Sequence, residues 1–279
     1  MRFPLLMLLL AASPLSAQDF QLHLYALKDG LPTGHVAVTP ASGYNNQPAF
    51  TADGEGLLFS SDRAGGQMEI FHYALADGTL TNLTNTPDES EFSPQPSGTE
   101  GAISYVVEQG VPHQSVWVQA PGQPRQRAIN SLIPAGYYAQ RPGQGTLLWA
   151  RYGYHLYFEP WGERADEGHL VSANVGRSLH PIPHSQAFSF LHKRVDGSWV
   201  ITAFEPDSGA LRPLVAVDRR SEDYAWHPDG QSLWMGRGSE LWRWSVAGQW
   251  QKVADLGVGT LGRLALSPDG RHLAVVSTP

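Results

Sequence analysis

Cysteine is absent from all 279 residues of the chain. The protein therefore cannot form disulfide bonds, and it cannot be a lipoprotein acylated on an N-terminal cysteine. Its stability must come from the packing of apolar side chains, and the 9 Trp, 10 Tyr and 10 Phe residues supply large ones. Because 42% of this chain is apolar, it can bury a substantial core, and we expect one domain.

Basic residues are outnumbered by acidic ones, 19 to 26, which gives a net charge of −7 with histidine neutral. Proteins bind nucleic acid largely by neutralising phosphates with a basic surface. The composition therefore argues against nucleic acid as a partner.

Long hydrophobic runs are also missing, apart from one near the start of the chain. Arg2 precedes an apolar run at 5–12, and the segment at 14–17 ends in the small residues Ser16 and Ala17, just before Gln18 and Asp19. The run is about half of the roughly 20 residues that cross a bilayer. This arrangement predicts a secretory signal peptide at residues 1–17, no membrane span, and a mature protein that is periplasmic or secreted by a bacterium.

The remainder of the chain repeats one pattern, clearest in FTADGEGLLFSSDR at 50–63 and in the residues that follow up to Thr84. An aromatic strand ends in an Asp-Gly turn, an apolar strand follows, and a polar loop leads to a third apolar run. A second Asp-Gly turn then opens a fourth strand. Each unit is therefore predicted to consist of four short antiparallel strands.

Runs equivalent to the second strand of this unit occur six times, at 57–60, 103–106, 147–150, 188–191, 232–235 and 272–275. Their starts are 46, 44, 41, 44 and 40 residues apart. A period in this range, with four strands per unit, is typical of β-propeller blades. We predict an all-β fold, a six-bladed β-propeller of four-stranded blades.

The sixth unit has only its first two strands at the C-terminal end of the sequence. Residues 21–25 and 35–38 resemble a third and a fourth strand, separated by the Asp29-Gly30 turn. We predict that these N-terminal strands complete the last blade, which closes the ring and removes exposed strand edges. Residues 18–279 then form a single propeller domain, which we expect to be a monomer.

Three short motifs, FSSDR at 59–63, EIF at 69–71 and SPDG at 267–270, resemble the WD-like PD repeat of TolB-like exported propellers. The resemblance covers most of residues 20–279 as a repeat pattern. It implies a periplasmic propeller that binds proteins of the cell envelope. We expect no counterpart of the separate α/β domain that precedes the propeller in TolB.

Function in propellers usually lies on the loop face around the central channel. The loops of that face are predicted at 43–47, 87–92, 132–138, 175–184, 219–224 and 259–263. The candidate ligand-binding residues nearest the axis are Asn46, Glu91, Tyr137, Arg177, His180, Asp223 and Arg263. This mixture of acids, bases and aromatics suits a polar or peptide ligand, although the same groups could instead satisfy one another around the channel.

The 11 histidines raise the question of a metal site. His180 and His184 are four residues apart, but Pro181 and Pro183 exclude the helix that would bring such a pair together. We therefore predict no metal site and no cofactor. A histidine site assembled from several blades stays an alternative.

Catalytic motifs are not found either, since the sequence contains no Gly-x-Ser-x-Gly nucleophile elbow. We predict no catalytic residues, and we favour a non-catalytic binding scaffold that holds an envelope protein, peptide or glycan at the channel mouth. One alternative is a propeller lyase or hydrolase that uses channel-mouth histidines and acids, with or without a divalent metal. Another is a structural accessory that stabilises a partner protein.

Overall fold

The computed structural model describes residues 19–110, 113–162, 168–246 and 248–279. These residues form 24 strands in six four-stranded antiparallel sheets, and they contain no helix. The sheets are the blades of a six-bladed propeller, which confirms the fold predicted from the repeats. The predicted signal peptide, residues 1–17, lies outside the described residues.

The strands follow the repeat in order along the chain. The first two are β1 (Gln21–Lys28) and β2 (Leu31–Ala37). Blade 1 contains β3 (Asn45–Phe50), β4 (Gly56–Ser61), β5 (Glu69–Ala74) and β6 (Leu80–Asn82). Blade 2 contains β7 (Ser90–Pro96), β8 (Ile103–Glu108), β9 (Gln114–Gln119) and β10 (Gln126–Arg127).

The second half of the ring repeats this arrangement. Blade 3 contains β11 (Ala135–Arg141), β12 (Gly145–Ala150), β13 (His155–Pro160) and β14 (His169–Ser172). Blade 4 contains β15 (Val175–Pro181), β16 (Phe188–Lys193), β17 (Trp199–Glu205) and β18 (Ala210–Val217). Blade 5 contains β19 (Tyr224–Trp226), β20 (Ser232–Arg237), β21 (Glu240–Ser245) and β22 (Gln251–Asp255), and the last strands are β23 (Thr260–Leu266) and β24 (His272–Thr278).

The Asp-Gly turns explain why the first hairpin of a blade forms where the sequence predicts it. Asp53 Oδ1 accepts a hydrogen bond from the Glu55 amide at 3.0 Å, and Gly54 adopts a φ of 75°. The Asp269 carboxylate accepts from the Arg271 amide at 2.9 Å in the same way. The aspartate therefore fixes the turn, and glycine is favoured because the left-handed conformation strains other residues.

Apolar clusters fill the interfaces between neighbouring blades. Between blades 3 and 4, the Phe158 ring lies 5.8 Å from the Phe188 ring and 5.4 Å from the Phe204 ring, centroid to centroid. Edge-to-face pairs of this kind add to the burial of each ring, which contributes roughly 1.5–3 kcal/mol. Packing of aromatic side chains therefore holds the blades together, as the absence of cysteine requires.

Blade 6 is completed by both ends of the described chain, in the strand order β2-β1-β24-β23. The register of β1 against β24 pairs Gln21 with Ser277 and Ala26 with His272. Leu22 is fully buried in the cluster shared with blade 1, and Tyr25 packs in the cluster shared with blade 5. The predicted closure of the ring by N-terminal strands is confirmed.

A buried histidine connects three strands of this closing blade. His23 Nε2 lies 2.9 Å from Ser277 Oγ on β24, and His23 Nδ1 lies 3.0 Å from His35 Nε2 on β2. Burial first, and the neighbouring His35 second, lower the pKa of His23 to about 4. His23 is therefore neutral at pH 7, and protonating it would place a charge inside the blade that closes the ring.

Replacing Leu22 with alanine is expected to lower the free energy of unfolding by about 2–5 kcal/mol, because it opens a cavity in a fully buried site. Denaturant unfolding followed by tryptophan fluorescence measures this change. Leu31→Ala is the matched control, since Leu31 is 54% exposed in the adjoining strand and should lose less than about 0.5 kcal/mol. Equal losses in the two variants would contradict the closure.

Acidification is expected to weaken the closing blade through His23. Because the folded-state pKa of about 4 lies below the ordinary value of 6.5, the stabilising contribution is complete above pH 6.5 and is lost as the pH falls toward 4. Between pH 7 and pH 5, the free energy of unfolding should fall by about 1–2 kcal/mol more in the wild type than in His23→Gln. His113→Gln, at an exposed position, should keep the wild-type pH dependence.

Candidate functional site

Two cavities meet at the centre of the ring. One, the channel cavity, has a volume of about 480 Å³ and extends between the inner strands towards Pro96, Pro183 and Pro228 at the Asp-Gly turn side. The other, the mouth cavity, has a volume of about 390 Å³ and is bounded by loop residues such as Asp62 and Met68. Four residues line both cavities: Gln47, Tyr137, Arg177 and Arg263.

Irregular pairing of the inner strands brings these side chains to the centre. Register shifts interrupt the ladder between the first and second strands of five blades, at Asn46/Ala49, Phe92/Gln95, Ala135/Tyr137, Val175/Leu179 and Leu261/Leu264. Such bulges bend a strand and change the direction of its side chains. All the candidate positions except Asp223 therefore lie on bulged strands, and Asp223 lies just before β19, whose pairing with β20 is regular.

The loop boundaries predicted at the channel mouth need correction for the same reason. Residues 175–184 were expected to form a loop, but most of them belong to β15, which runs from Val175 to Pro181. Pairing of β15 with β16 resumes at Leu179, beyond the bulge, so the strand continues as far as Pro181. Arg177 and His180 lie on this strand, and Arg263 likewise lies within β23.

Three charged residues form the centre of the site, and we refer to Arg177, Asp223 and Arg263 as the mouth triad. Asp223 Oδ1 is 3.2 Å from the Nε atoms of both arginines, and Asp223 Oδ2 accepts from Arg177 Nη2 at 2.7 Å. The guanidinium carbon of Arg263 lies 4.4 Å from the centroid of the Tyr137 ring. Side chains from three blades and the Tyr137 ring of a fourth are thus held together at the mouth.

The mouth triad carries one more positive than negative charge. Burial alone would raise the pKa of the Asp223 carboxyl, but Arg263 and Arg177 together outweigh it and lower the pKa, so Asp223 stays ionised. The Asp223 charge in turn raises the pKa of Arg177. Burial, reinforced by Arg263, lowers the pKa of His180 to about 4, so His180 is neutral at pH 7. The triad itself thus carries a net charge of +1 in a protein of net charge −7, and Asp62 places a carboxylate at the edge of the mouth cavity.

Arg263 also has unused hydrogen-bonding capacity. Its side chain is only 18% exposed, and its Nη2 atom is buried without a hydrogen-bond partner among the described residues. A buried donor that lacks a partner costs roughly 1–3 kcal/mol, and a ligand oxygen would remove that cost. An anionic oxygen could therefore bind Arg263 without breaking the internal ion pairs of the triad, but it would reach the buried Nη2 atom only after a local movement of side chains.

The other predicted residues have different surroundings. Asn46 lines the mouth cavity, and its Oδ1 accepts from the Gln47 amide at 2.7 Å. His180 lines the channel cavity, where its Nε2 lies 3.1 Å from Ser178 Oγ and its ring packs against Tyr224. These two residues and the triad surround the same channel.

Glu91 lies apart from this group, fully buried between blades 1 and 2. It accepts a hydrogen bond from Thr86, and Arg125 Nη1 is 3.8 Å from its Oε1. Burial first, and the nearby Glu69 charge second, raise its pKa to about 7 against the opposing effects of the Thr86 hydrogen bond and Arg125. Glu91 does not line either cavity at the axis, so the structure does not bring it together with the other candidates.

Sequence reasoning missed Tyr44 and Gln47. Gln47 Oε1 accepts from the Ser93 amide at 2.7 Å and from Ser60 Oγ at 3.0 Å, which ties blade 1 to blade 2 at the mouth. Gln47 and Ser93 both have positive φ angles, 60° and 54°, and each precedes a proline at a bulge. The sequence signal that could have revealed Gln47 is a residue followed by proline at the same place in two repeats, Gln47-Pro48 and Ser93-Pro94.

Metal ligands are not gathered at the site. Across residues 19–110, 113–162, 168–246 and 248–279, His, Asp and Glu do not come together in groups of three that could hold a metal ion. The described part of the chain also contains no helix with the length and apolar character that a membrane span needs.

Comparison with known proteins identifies the fold. No protein-family model and no curated protein matches the chain. A TolB protein from Agrobacterium tumefaciens superposes with a TM-score of 0.71 at 13% identity, over 94% of this chain and 99% of the other. TolB from Acinetobacter baumannii gives 0.62 at 11% identity, over 92% of this chain and 63% of the other.

Enzymes share the architecture as well. An oligogalacturonate lyase from Vibrio parahaemolyticus superposes with a TM-score of 0.55 at 13% identity, over 95% of this chain and 99% of the other. Identities this low show the fold alone. The chain has a TolB-like propeller fold, as its PD repeats indicate, and its function must be argued from the residues at the mouth.

Asp223→Asn is expected to lower the free energy of unfolding by roughly 1–3 kcal/mol at pH 7, because both arginines lose their ionised partner. Since the folded-state pKa of Asp223 is lowered, the difference between wild type and variant should be complete above about pH 4 and should shrink at lower pH. Urea unfolding at several pH values measures it.

The control for this prediction is Asp218→Asn. Asp218 pairs with Arg220, whose side chain is 73% exposed, so its removal should change stability by less than about 1 kcal/mol. If Asp223→Asn lowers the free energy of unfolding no more than Asp218→Asn does, the arrangement of the mouth triad described above is contradicted.

Proposed function

We propose that the protein is an exported, non-catalytic binding scaffold whose channel mouth holds an anionic group of an envelope protein, peptide or glycan. The observation that carries this proposal is the mouth triad, with its excess positive charge and the unpartnered Arg263 Nη2 between two cavities. A carboxylate is the simplest group that complements it, because arginine binds carboxylates through charge-assisted hydrogen bonds.

Preorganisation supports binding at this place. Asp223 holds Arg177 through two hydrogen bonds, and the Tyr137 ring stacks beneath Arg263. Side chains that are already fixed lose little conformational entropy when a ligand arrives. The closed ring of blades supplies the rigid frame on which the triad is built.

Two other parts of the proposal, export of the protein and binding of a protein or peptide, have support from outside the site. The pattern of residues 1–17 is that of a signal peptide, and the repeats resemble those of TolB-like propellers. Another fold neighbour is described as YCF48 bound to a D1 peptide, with a TM-score of 0.53 at 15% identity, over 95% of both chains. A propeller of this size is therefore compatible with peptide binding.

A second candidate is an enzyme that acts on a uronate polymer, which the lyase fold neighbour suggests. His180 is the candidate base, since it lines the channel cavity and is neutral at pH 7, but a pKa of about 4 makes it a weak one. The donor set does not suit a divalent metal, because both arginines already bond the Asp223 carboxylate. Formation of an unsaturated product from a galacturonate oligomer, with or without added Mn²⁺, would favour this enzyme over the scaffold.

Native mass spectrometry of the protein purified gently from its own periplasm tests the scaffold. We expect a bound mass in the wild type that is lost in Arg263→Gln, because the substitution removes the charge and the free donor. Arg271→Gln is the matched control, since Arg271 is 76% exposed, pairs with Asp269 on the Asp-Gly turn side and lines none of the cavities at the mouth, and it should retain the bound mass. Equal loss or equal retention in both variants would overturn the proposal.

A further inference from the structure

A third cavity, of about 420 Å³, adjoins the mouth between blades 2 and 3. Aromatic side chains form most of its wall, and we refer to it as the aromatic groove. The lining residues that could contact a ligand include Gln114, Tyr137, Trp149, Arg151, Tyr152 and Tyr154. The function proposed above makes no use of this concentration of rings.

Trp149 forms the floor of the groove. Its ring lies 5.3 Å from the Tyr137 ring and 5.3 Å from the Tyr154 ring, centroid to centroid. Gly136 permits this position, because a Cβ atom at residue 136 would lie 2.7 Å from two carbons of the indole. The close approach of the Trp149 ring to β11 therefore depends on a residue without a side chain.

Two further tyrosines stand at the rim of the groove on the turn between β12 and β13. Tyr152 is 52% exposed and Tyr154 is 59% exposed. Tyr154 adopts a φ of 53°, a conformation that costs a non-glycine residue roughly 1–3 kcal/mol. Two large aromatic rings are thus exposed to solvent, and the backbone of one of them, Tyr154, is strained.

Planar polar groups lie among the rings. Gln114 is 7% exposed, and its Oε1 has no hydrogen-bond partner among the described residues. Arg151 pairs with Glu108 at 2.6 Å and keeps its guanidinium 6.0 Å from the centroid of the Tyr152 ring. The groove therefore offers an amide acceptor and a guanidinium donor next to aromatic faces.

The aromatic groove is continuous with the cationic mouth. Tyr44, Gln47 and Tyr137 line both the groove and the mouth cavity. Tyr137 in turn packs against Arg263 of the triad. A ligand that places an anionic group at the triad can extend from it directly over Tyr137 towards Trp149.

We propose that this combined surface binds an acidic oligosaccharide, with a sugar carboxylate at Arg263 and neighbouring sugar rings in the aromatic groove. The inference rests on the proposed function and names the ligand class of the same site. The C–H face of a sugar ring stacks on an aromatic ring, and its hydroxyl groups both donate and accept, which suits Gln114 and Arg151 together. A carboxylated sugar supplies the anion that the triad complements.

Isothermal titration of the mature protein with defined probes tests the inference. The acidic probes are a galacturonate oligomer and an oligomer of N-acetylglucosamine and N-acetylmuramic acid, which separate a plant-type uronate from a wall-type lactyl carboxylate. The controls are an N-acetylglucosamine oligomer of equal length, which is neutral, and an oligoglutamate peptide, which is acidic without sugar rings. We expect one of the acidic glycans to bind more tightly than both controls.

Variants separate the groove from the triad. Tyr152→Ala and Tyr154→Asn should each weaken binding of the acidic glycan roughly tenfold, as loss of a stacking contact predicts. Asparagine is chosen at 154 because it tolerates a positive φ. Trp161→Ala is the matched control, since Trp161 is 53% exposed and does not line the groove, and it should bind as the wild type does.

The outcomes distinguish the inference from the function on which it rests. Binding of oligoglutamate alone, weakened by Arg263→Gln, would overturn the glycan assignment and support the scaffold. Binding of an acidic glycan that depends on Arg263 but not on Tyr152 or Tyr154 would overturn the role of the groove. Binding of no probe would overturn the glycan inference, while a bound mass that Arg263→Gln loses in native mass spectrometry would still support the scaffold.

Discussion

The backbone pairing of β24 with β1 joins residues that are 246 to 256 positions apart, and the geometry of the whole ring depends on it. A strand that contributes to blade 6 from the other end of the chain removes the edge that an incomplete blade would expose. It also fixes blade 1 against blade 6, because Leu22 packs in the cluster that the two blades share. Without cysteine, this closure and the packing between blades must keep the inner strands in register around the channel.

A site at the axis of such a ring is precise because no single blade forms it. Arg177, Asp223 and Arg263 come from blades 4, 5 and 6, and Tyr137 comes from blade 3. A change in the ring geometry would alter the 3.2 Å contacts between Asp223 and the two arginines. The stability of the ring and the preorganisation of the site therefore have the same physical origin.

Charge and shape at the mouth favour different parts of one ligand. The triad carries a net charge of +1, its Asp223 is buried and its ion pairs are formed internally, while Arg177 is 45% exposed, which suits a single anionic group. The aromatic groove beside it is broad and partly exposed, which suits flat apolar surface with hydroxyl groups at its edge. Tyr137 belongs to both, so the two surfaces can act on adjacent parts of the same molecule.

The sequence by itself determined the repeat, the number of blades, the Asp-Gly turns and the completion of the last blade, because each depends on local spacing and on alternation within a strand. It also identified Arg177, Asp223 and Arg263 as neighbours of the axis. Only the tertiary structure showed that Glu91 lies between blades, because residue spacing does not specify how Thr86 and Arg125 pack around its carboxyl group. The bulges that direct Gln47 into the mouth, and the groove that Gly136 opens for Trp149, likewise follow from how strands pair and how blades pack, which residue spacing does not specify.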